Sequence, residues 1–196
     1  MVEDRFIQQL MAETIAGYSA VDPDVKAIFA ILNECKNSGI IEDYALCGSF
    51  GVMNYTEAFA TKDFDVCIAI KSHGIIDLSP IYSAFRQKGY NTFEEQTIIV
   101  GNKKLDVLAG DELHNAALRH ALPREFDGIP YKVFSPEYLY CIALSVYRIS
   151  DQLKLQKLAD EASLDEKEIQ RIVKEFNLGD KLRDWQSRFG NTTGVR

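Results

Sequence analysis

Apolar residues recur along the chain at two different periods, and the changes between them predict its elements. In "DRFIQQLMAETIAGY", from Asp4 to Tyr18, the residues Phe6, Ile7, Leu10, Met11 and Ile15 fall on one helical face. Asp22 caps and Pro23 takes the first turn of a second helix, whose apolar face is Val25, Ile28, Phe29 and Leu32 and which Gly39 ends. The period then shortens. Tyr44 to Cys47 predicts a strand that stops at Gly48-Ser49, where a short helix runs on to Tyr55. "FDVCIAI", Phe64 to Ile70, predicts a buried strand, and Ser79-Pro80 opens a helix through Phe85 to Gly89. "TIIVGNKKLDVLAG" predicts a hairpin, with strands from Thr97 to Val100 and Lys103 to Leu108 around a turn at Gly101-Asn102. Tyr131 to Phe134 predicts a last strand. After the cap Ser135 and Pro136 the pattern is helical, with a capping box at Asp165 and Glu168. Leu178-Gly179 closes that helix, "DKLRDWQSRF" predicts a final one, and the tail "GNTTGVR" frays.

The expected organisation is an α/β part over residues 1–134, N-terminal helices included, and a helical region over 135–196 packed on it. At 196 residues, 46% hydrophobic and 26% charged, the chain has the composition of a globular protein with one sizeable core. No run of 18 apolar residues predicts a membrane span, and "YLYCIALSVY" reads as a buried helix. The start "MVEDRFIQQL" lacks the basic and apolar regions of a signal peptide, so a cytoplasmic location is expected. A net charge of −7 argues against strong nonspecific nucleic-acid binding. Cys35, Cys47, Cys67 and Cys141 are widely spaced in apolar surroundings and read as buried free thiols. His73, His114 and His120 have no metal-ligand spacing and read as surface or loop residues.

The candidate chemistry lies in three carboxylates. Side chains two apart on a strand share a face, so Asp63 and Asp65 project together while Phe64 and Val66 point away. Like charges this close need a cation between them, and a hard divalent ion with oxygen ligands is the natural one. Asp106, between Leu105 and Val107 on another strand, supplies a third carboxylate. Gly48-Ser49 ends a strand and opens a helix, where backbone N–H groups can face a phosphate. Taken alone, Asp-x-Asp is most often a solvated strand end, and a Gly-Ser at a strand end says less still. Together, and in this order, they point to phosphoryl or nucleotidyl transfer.

"LCGSF", then "TKDFDVCI", then "KKLDVLAG" resembles the DNA polymerase β-like nucleotidyltransferase superfamily. More narrowly, "MNYTEAFATKDFDV" and "SPEYLYCIALSVYRISDQLKLQKL" are similar to the AbiEii-type branch, some of whose members are toxins of toxin–antitoxin or abortive-infection systems. The resemblance spans about Tyr44 to Leu158. It implies an α+β fold, with a small mixed sheet, flanking helices and a helical C-terminal part. It implies that Asp63 and Asp65 bind Mg²⁺ or Mn²⁺, that Asp106 completes the site and helps deprotonate a hydroxyl acceptor, and that Gly48 and Ser49 hold the triphosphate from across a cleft. Thr61 and Lys62 would help position phosphate. Arg148 and Asp151, one helical turn apart, match polar positions of the family's helix, and for them a surface ion pair is as good a reading as a nucleotide contact. The implied partners are an NTP, a hydroxyl acceptor (RNA, protein or small molecule) and an antitoxin protein.

The chain departs from the family at three places. Phe59 stands where relatives often carry Arg, Ala143 where a helix Lys would lie against the nucleotide, and Lys154 where an acidic residue is usual. Two functions follow: a metal-dependent nucleotidyltransferase that moves an NMP from an NTP to a hydroxyl, or a weak or inactive module of that fold that binds a nucleotide or a protein partner.

Overall fold

Helix α1, Pro23–Asn37, begins where the sequence places it: the Asp22 carboxylate accepts from the Asp24 and Val25 amides, and Pro23 fills the first turn. Burying Ile28, Phe29 and Leu32 contributes about 1.5–3 kcal/mol for each side chain. Asp22 also pairs at 2.8 Å with Lys103, and both side chains are buried, which ties the start of α1 to the sheet. The computed structural model describes residues 22–70 and 76–190. The helix expected before Asp22, His73 and the tail from position 191 lie outside them.

Seven strands form one mixed sheet: β1 Asp43–Leu46, β2 Asp63–Ala69, β3 Phe93–Glu94, β4 Thr97–Val100, β5 Lys103–Ala109, β6 Leu122–Phe126 and β7 Ile129–Val133. Their order is β3-β4-β5-β2-β1-β7-β6, with β2 parallel to β5, β1 parallel to β7 and the other neighbours antiparallel. Alternation sorts β2 cleanly. Phe64, Val66 and Ile68 enter one core with α1 and with Ile81 and Phe85 of a further helix, Ser79–Gln87. Cys67 enters the other core, on the face that Asp63 and Asp65 share.

That second face is covered by helices. The Ser79–Gln87 helix, α3, lies with α1 on the first face; towards the second, short α2, Gly48–Val52, follows β1, α4, Glu112–Arg119, follows β5, and α5 Pro136–Val146, α6 Ile149–Glu161, α7 Glu166–Glu175 and α8 Gly179–Phe189 form the C-terminal part. Tyr138, Tyr140, Leu144, Leu155, Leu158 and Trp185 fill the space between them. The fold is α/β with a mixed sheet and a C-terminal helical part. Among the described residues no helix is long and apolar enough to cross a membrane, and all four cysteines are buried and free.

Several details differ from the pattern. The last strand is the second arm of a hairpin with β6, turned at Asp127 (φ 46°) and Gly128 (φ 77°), a pair that favours such turns. Helix α4, capped by Asp111, leaves little trace in the pattern because its apolar face, Leu113, Ala116 and Ala117, is short. The capping box is half made: Asp165 accepts from the Lys167 and Glu168 amides, but Glu168 pairs with Arg171, and the Asp165 amide goes to Glu137. Helix α7 ends at Glu175, with Asn177 at φ 54°, and Gly179 opens α8 instead of closing α7. The helical run after Ser135 is broken at Tyr147, whose φ of 61° ends α5 and redirects the chain into α6.

Candidate active site

Strand register builds the site. The parallel pairing of β2 with β5 sets Asp65 opposite Asp106 and Asp63 opposite Lys104. Partners in a ladder leave the same face, so Asp65 and Asp106 stand side by side with Asp63 one pleat along β2. All three line a cleft of about 510 Å³ between the sheet and helices α5 and α6.

The chain after β1 packs directly on this pair. Gly48 has φ 55°, and a Cβ there would lie 1.9 Å from Asp65 Oδ2. The Cys47 amide donates to the Asp65 carbonyl at 2.9 Å, and the Ser49 backbone amide is near enough to the Asp65 carboxylate to favour its charged form. Gly48 and Ser49 therefore lie against the carboxylates, not across the cleft from them. The aspartate they touch is strongly perturbed. Burial pushes its carboxyl up to about 6; Lys154 pulls it down, the charges of Asp106 and Asp63 push it up, and the Ser49 amide lowers it. Asp106 accepts a hydrogen bond from the Thr97 hydroxyl.

The opposite wall belongs to the helices. Leu139, Ile142 and Val146 of α5 give it an apolar strip, and Arg148, Asp151 and Lys154 give it charge. Arg148 and Asp151 form no side-chain ion pair with each other. The buried Asp151 carboxylate accepts from the Arg148 backbone amide at 3.1 Å and from Lys154 Nζ at 3.0 Å. It thus fixes the start of α6 and holds the Lys154 ammonium in the cleft. The exposed Arg148 guanidinium makes no ion pair among the described residues.

Thr61 and Lys62 are not brought to the cleft wall. They precede β2, where Thr61 Oγ1 accepts from the Asp63 amide at 3.3 Å and the Lys62 carbonyl accepts from the Lys104 amide at 3.1 Å. Ala143 is buried in the helical core, so no nucleotide-facing lysine fits there; Lys154 brings a cation to the cleft instead. Phe59 carries the Lys157 ammonium 5.7 Å above its ring.

Sequence reasoning missed His114. It is neither on the open surface nor in a loop: it sits on α4, lines the same cleft, and its Nδ1 lies 2.7 Å from Asp111 Oδ1. The signal was Asp111, three residues ahead of it at the helix start.

The donors suit a hard ion. Asp63, Asp65 and Asp106 offer only oxygen, and magnesium is commonly held by one or two carboxylates together with substrate phosphates. Among the described residues no three Asp, Glu, His or Cys side chains are gathered so as to hold an ion by themselves. Asp106 also accepts from the Thr97 hydroxyl, which leaves it further lone pairs for an ion. A bound ion would complete its shell with oxygens from the substrate.

No protein-family model matches the chain, and no curated protein matches it. Solved structures do. The solution structure of the antibiotic-resistance factor ANT(2'')-Ia is 10% identical, with 86% of this chain and 99% of that one covered at a TM-score of 0.50. An antigenic nucleotidyltransferase-like protein from Paracoccidioides brasiliensis is 14% identical, covering 83% and 94% at 0.49. A crystal structure of ANT(2'')-Ia in complex with adenylyl-2''-tobramycin gives 13%, 86%, 99% and 0.45. The first of these shows that the chain shares the fold of ANT(2'')-Ia.

Proposed function

We propose that the chain is a divalent-metal-dependent nucleotidyltransferase that moves a nucleoside monophosphate from an NTP to a hydroxyl acceptor. The observation that carries this reading is the β2–β5 register, which sets Asp65 beside Asp106 on the face that opens into the cleft. A buried acidic group is costly unless something positive is drawn to it, and Asp65, with two further carboxylates beside it, bears that cost.

Asp63 and Asp65 would hold Mg²⁺ or Mn²⁺, with Asp106 completing the acidic set. The ion would neutralise phosphate oxygens and stabilise charge at the reacting phosphorus. Lys154, held by Asp151, and Arg148 supply cationic groups for the triphosphate from the helical wall. The apolar strip of Leu139, Ile142 and Val146 gives a base or a nonpolar part of the acceptor a surface to pack on.

The test incubates the protein with Mg²⁺ or Mn²⁺ and each labelled NTP, with cell extract as acceptor. Labelled product is expected from the wild type, and a loss of more than about 10²-fold from Asp65→Asn. A second reading, nucleotide binding without turnover, is favoured by Lys154, whose charge partly offsets the acidic cluster without an ion. In that case an NTP raises the melting temperature but no product forms. The narrower AbiEii-like toxin reading rests on the sequence stretches alone. Growth arrest on expression, relieved by the product of a neighbouring reading frame, is its test.

A further inference from the structure

At the start of α4, on the cleft that the carboxylates line, stands an Asp–His pair that the proposed reaction has not used. Asp111 Oδ1 accepts the His114 backbone N–H at 2.9 Å, the ordinary work of a helix N-cap. The same oxygen also lies 2.7 Å from His114 Nδ1, a contact that capping does not require. Burial works to raise the Asp111 carboxyl, but the hydrogen bonds from the His114 backbone and ring outweigh it and hold it below its usual value. The carboxylate therefore stays charged and draws the ring's proton to Nδ1. The other nitrogen, Nε2, makes no hydrogen bond among the described residues, and the ring lines the cleft that holds Asp65 and Asp106. Gly110 leaves room for this placement: a Cβ there would lie 2.2 Å from His114 Cβ. An imidazole with one nitrogen fixed by a carboxylate and the other open to a reacting hydroxyl is the arrangement of a general base.

We infer that His114, oriented by Asp111, is the general base for the acceptor hydroxyl. This rests on the nucleotidyltransferase reading. The acceptor O–H proton passes to the Nε2 lone pair as the acceptor oxygen bonds to the α-phosphorus. The bond from that phosphorus to the bridging oxygen breaks, and pyrophosphate leaves with the electron pair. Asp106 suits this role less well. It already accepts from Thr97 and stands beside Asp65, where an ion would take up its lone pairs. The other titratable groups lining the cleft are Asp63 and Asp65 on β2, Cys47 at the end of β1, and Arg148, Asp151 and Lys154 at α6; Cys67 of β2 is buried beneath it, beside Gly110. Burial raises both thiols, which leaves them protonated. The α5 wall presents only Leu139, Ile142 and Val146.

Two measurements on the full chain test the inference. The first is the ¹⁵N spectrum of the His114 ring. The neutral ring is expected as the Nδ1–H tautomer in the wild type. Asp111→Ser keeps a good N-cap while removing the carboxylate, so the melting temperature should hold and the tautomer preference should be lost. An Nε2–H tautomer in the wild type overturns the inference whatever the activity. The second is product formation, with release of NMP and pyrophosphate to water as a readout that needs no known acceptor. His114→Gln is expected to lower the rate at least about 100-fold, and Asp111→Ser about tenfold. Both should keep the full melting shift with Mg²⁺ and NTP. Wild-type turnover that persists in His114→Gln to within threefold overturns the base and leaves the transferase reading standing. A wild type with no turnover of any NTP overturns both.

Discussion

The carboxylate of Asp65 fills the space in which Gly48 would carry a side chain, since a Cβ on Gly48 would meet Oδ2 at 1.9 Å. Glycine is needed there twice over, for its φ of 55° and for the close approach of the aspartate. Gly48→Ala should therefore destabilise the fold by at least about 1–2 kcal/mol from backbone strain alone. It should also displace the Asp65 carboxylate and abolish transfer. Thermal melting and the product assay check both parts; an alanine variant with wild-type melting and turnover would show that this contact is dispensable.

Asp65 gives stability a definite pH dependence. Its folded carboxyl sits at about 6, above the ordinary 3.8, so the folded state binds the proton more tightly than the unfolded state. Its contribution to stability is fully present below about 4 and is lost as pH rises through about 6. Asp65→Asn removes that loss. At pH 7.5 in chelator the variant should melt several degrees above the wild type, because every tenfold by which folding tightens proton binding is worth about 1.4 kcal/mol. At pH 4 the difference should vanish. A variant less stable than the wild type at pH 7.5 would contradict the raised value.

Lys154 acts on the same carboxyl in the opposite sense, holding it lower than burial and the neighbouring charges alone would. Lys154→Met should raise the pH at which Asp65 ionises above about 6. The carboxyl ¹³C shift of Asp65, followed across pH, reads this directly. A midpoint that stays put or falls would mean that the ammonium does not face Asp65 in solution.

The buried pair of Lys103 and Asp22 makes a test of the scaffold. Lys103→Ala leaves a carboxylate buried without its partner, which costs about 3–5 kcal/mol and should lower the melting temperature by about 10 °C. Lys103→Met together with Asp22→Asn should recover most of that loss, because Asn still caps α1 and no charge is left unpaired. A double variant no better than the single one would place the cost elsewhere.

The elements that were legible in sequence are those whose causes are local. The Asp22-Pro23 start of α1, the alternation of "FDVCIAI", the Gly101-Asn102 turn and the Ser135-Pro136 start of α5 all lie within a few residues of what they determine. The acidic site was legible because alternation sets the direction of Asp63 and Asp65 whatever the rest of the chain does. What the pattern concealed depends on distant partners or on one unusual dihedral. Nothing near Tyr147 announces a left-handed residue, yet that residue turns α6 so that Asp151 and Lys154 meet the cleft. Ala143 fits any helical face in a one-dimensional reading, and only the packing of α5 shows that it faces the core. Thr61 and Lys62 adjoin the aspartates in sequence, but the chain before β2 has left the cleft. His114 enters the site because β5 delivers α4 to its edge, a fact of topology rather than of spacing.

The parallel pairing of β2 and β5 also governs when the site comes into being. Its ladder partners sit at positions 65 and 106, with α3, β3 and the β4–β5 turn between them. The β4–β5 hairpin can close locally, but the two aspartates meet only after a long loop has been closed, the slow kind of contact in folding. Arg148 and Lys154 arrive later still in synthesis. A chain halted on the ribosome before α6 emerges carries every acidic group of the β2–β5 pair and the apolar strip of α5, but lacks Asp151 and Lys154 of the charged wall. It should be inert towards nucleotides, so any activity of this protein begins only after α6 has emerged and packed.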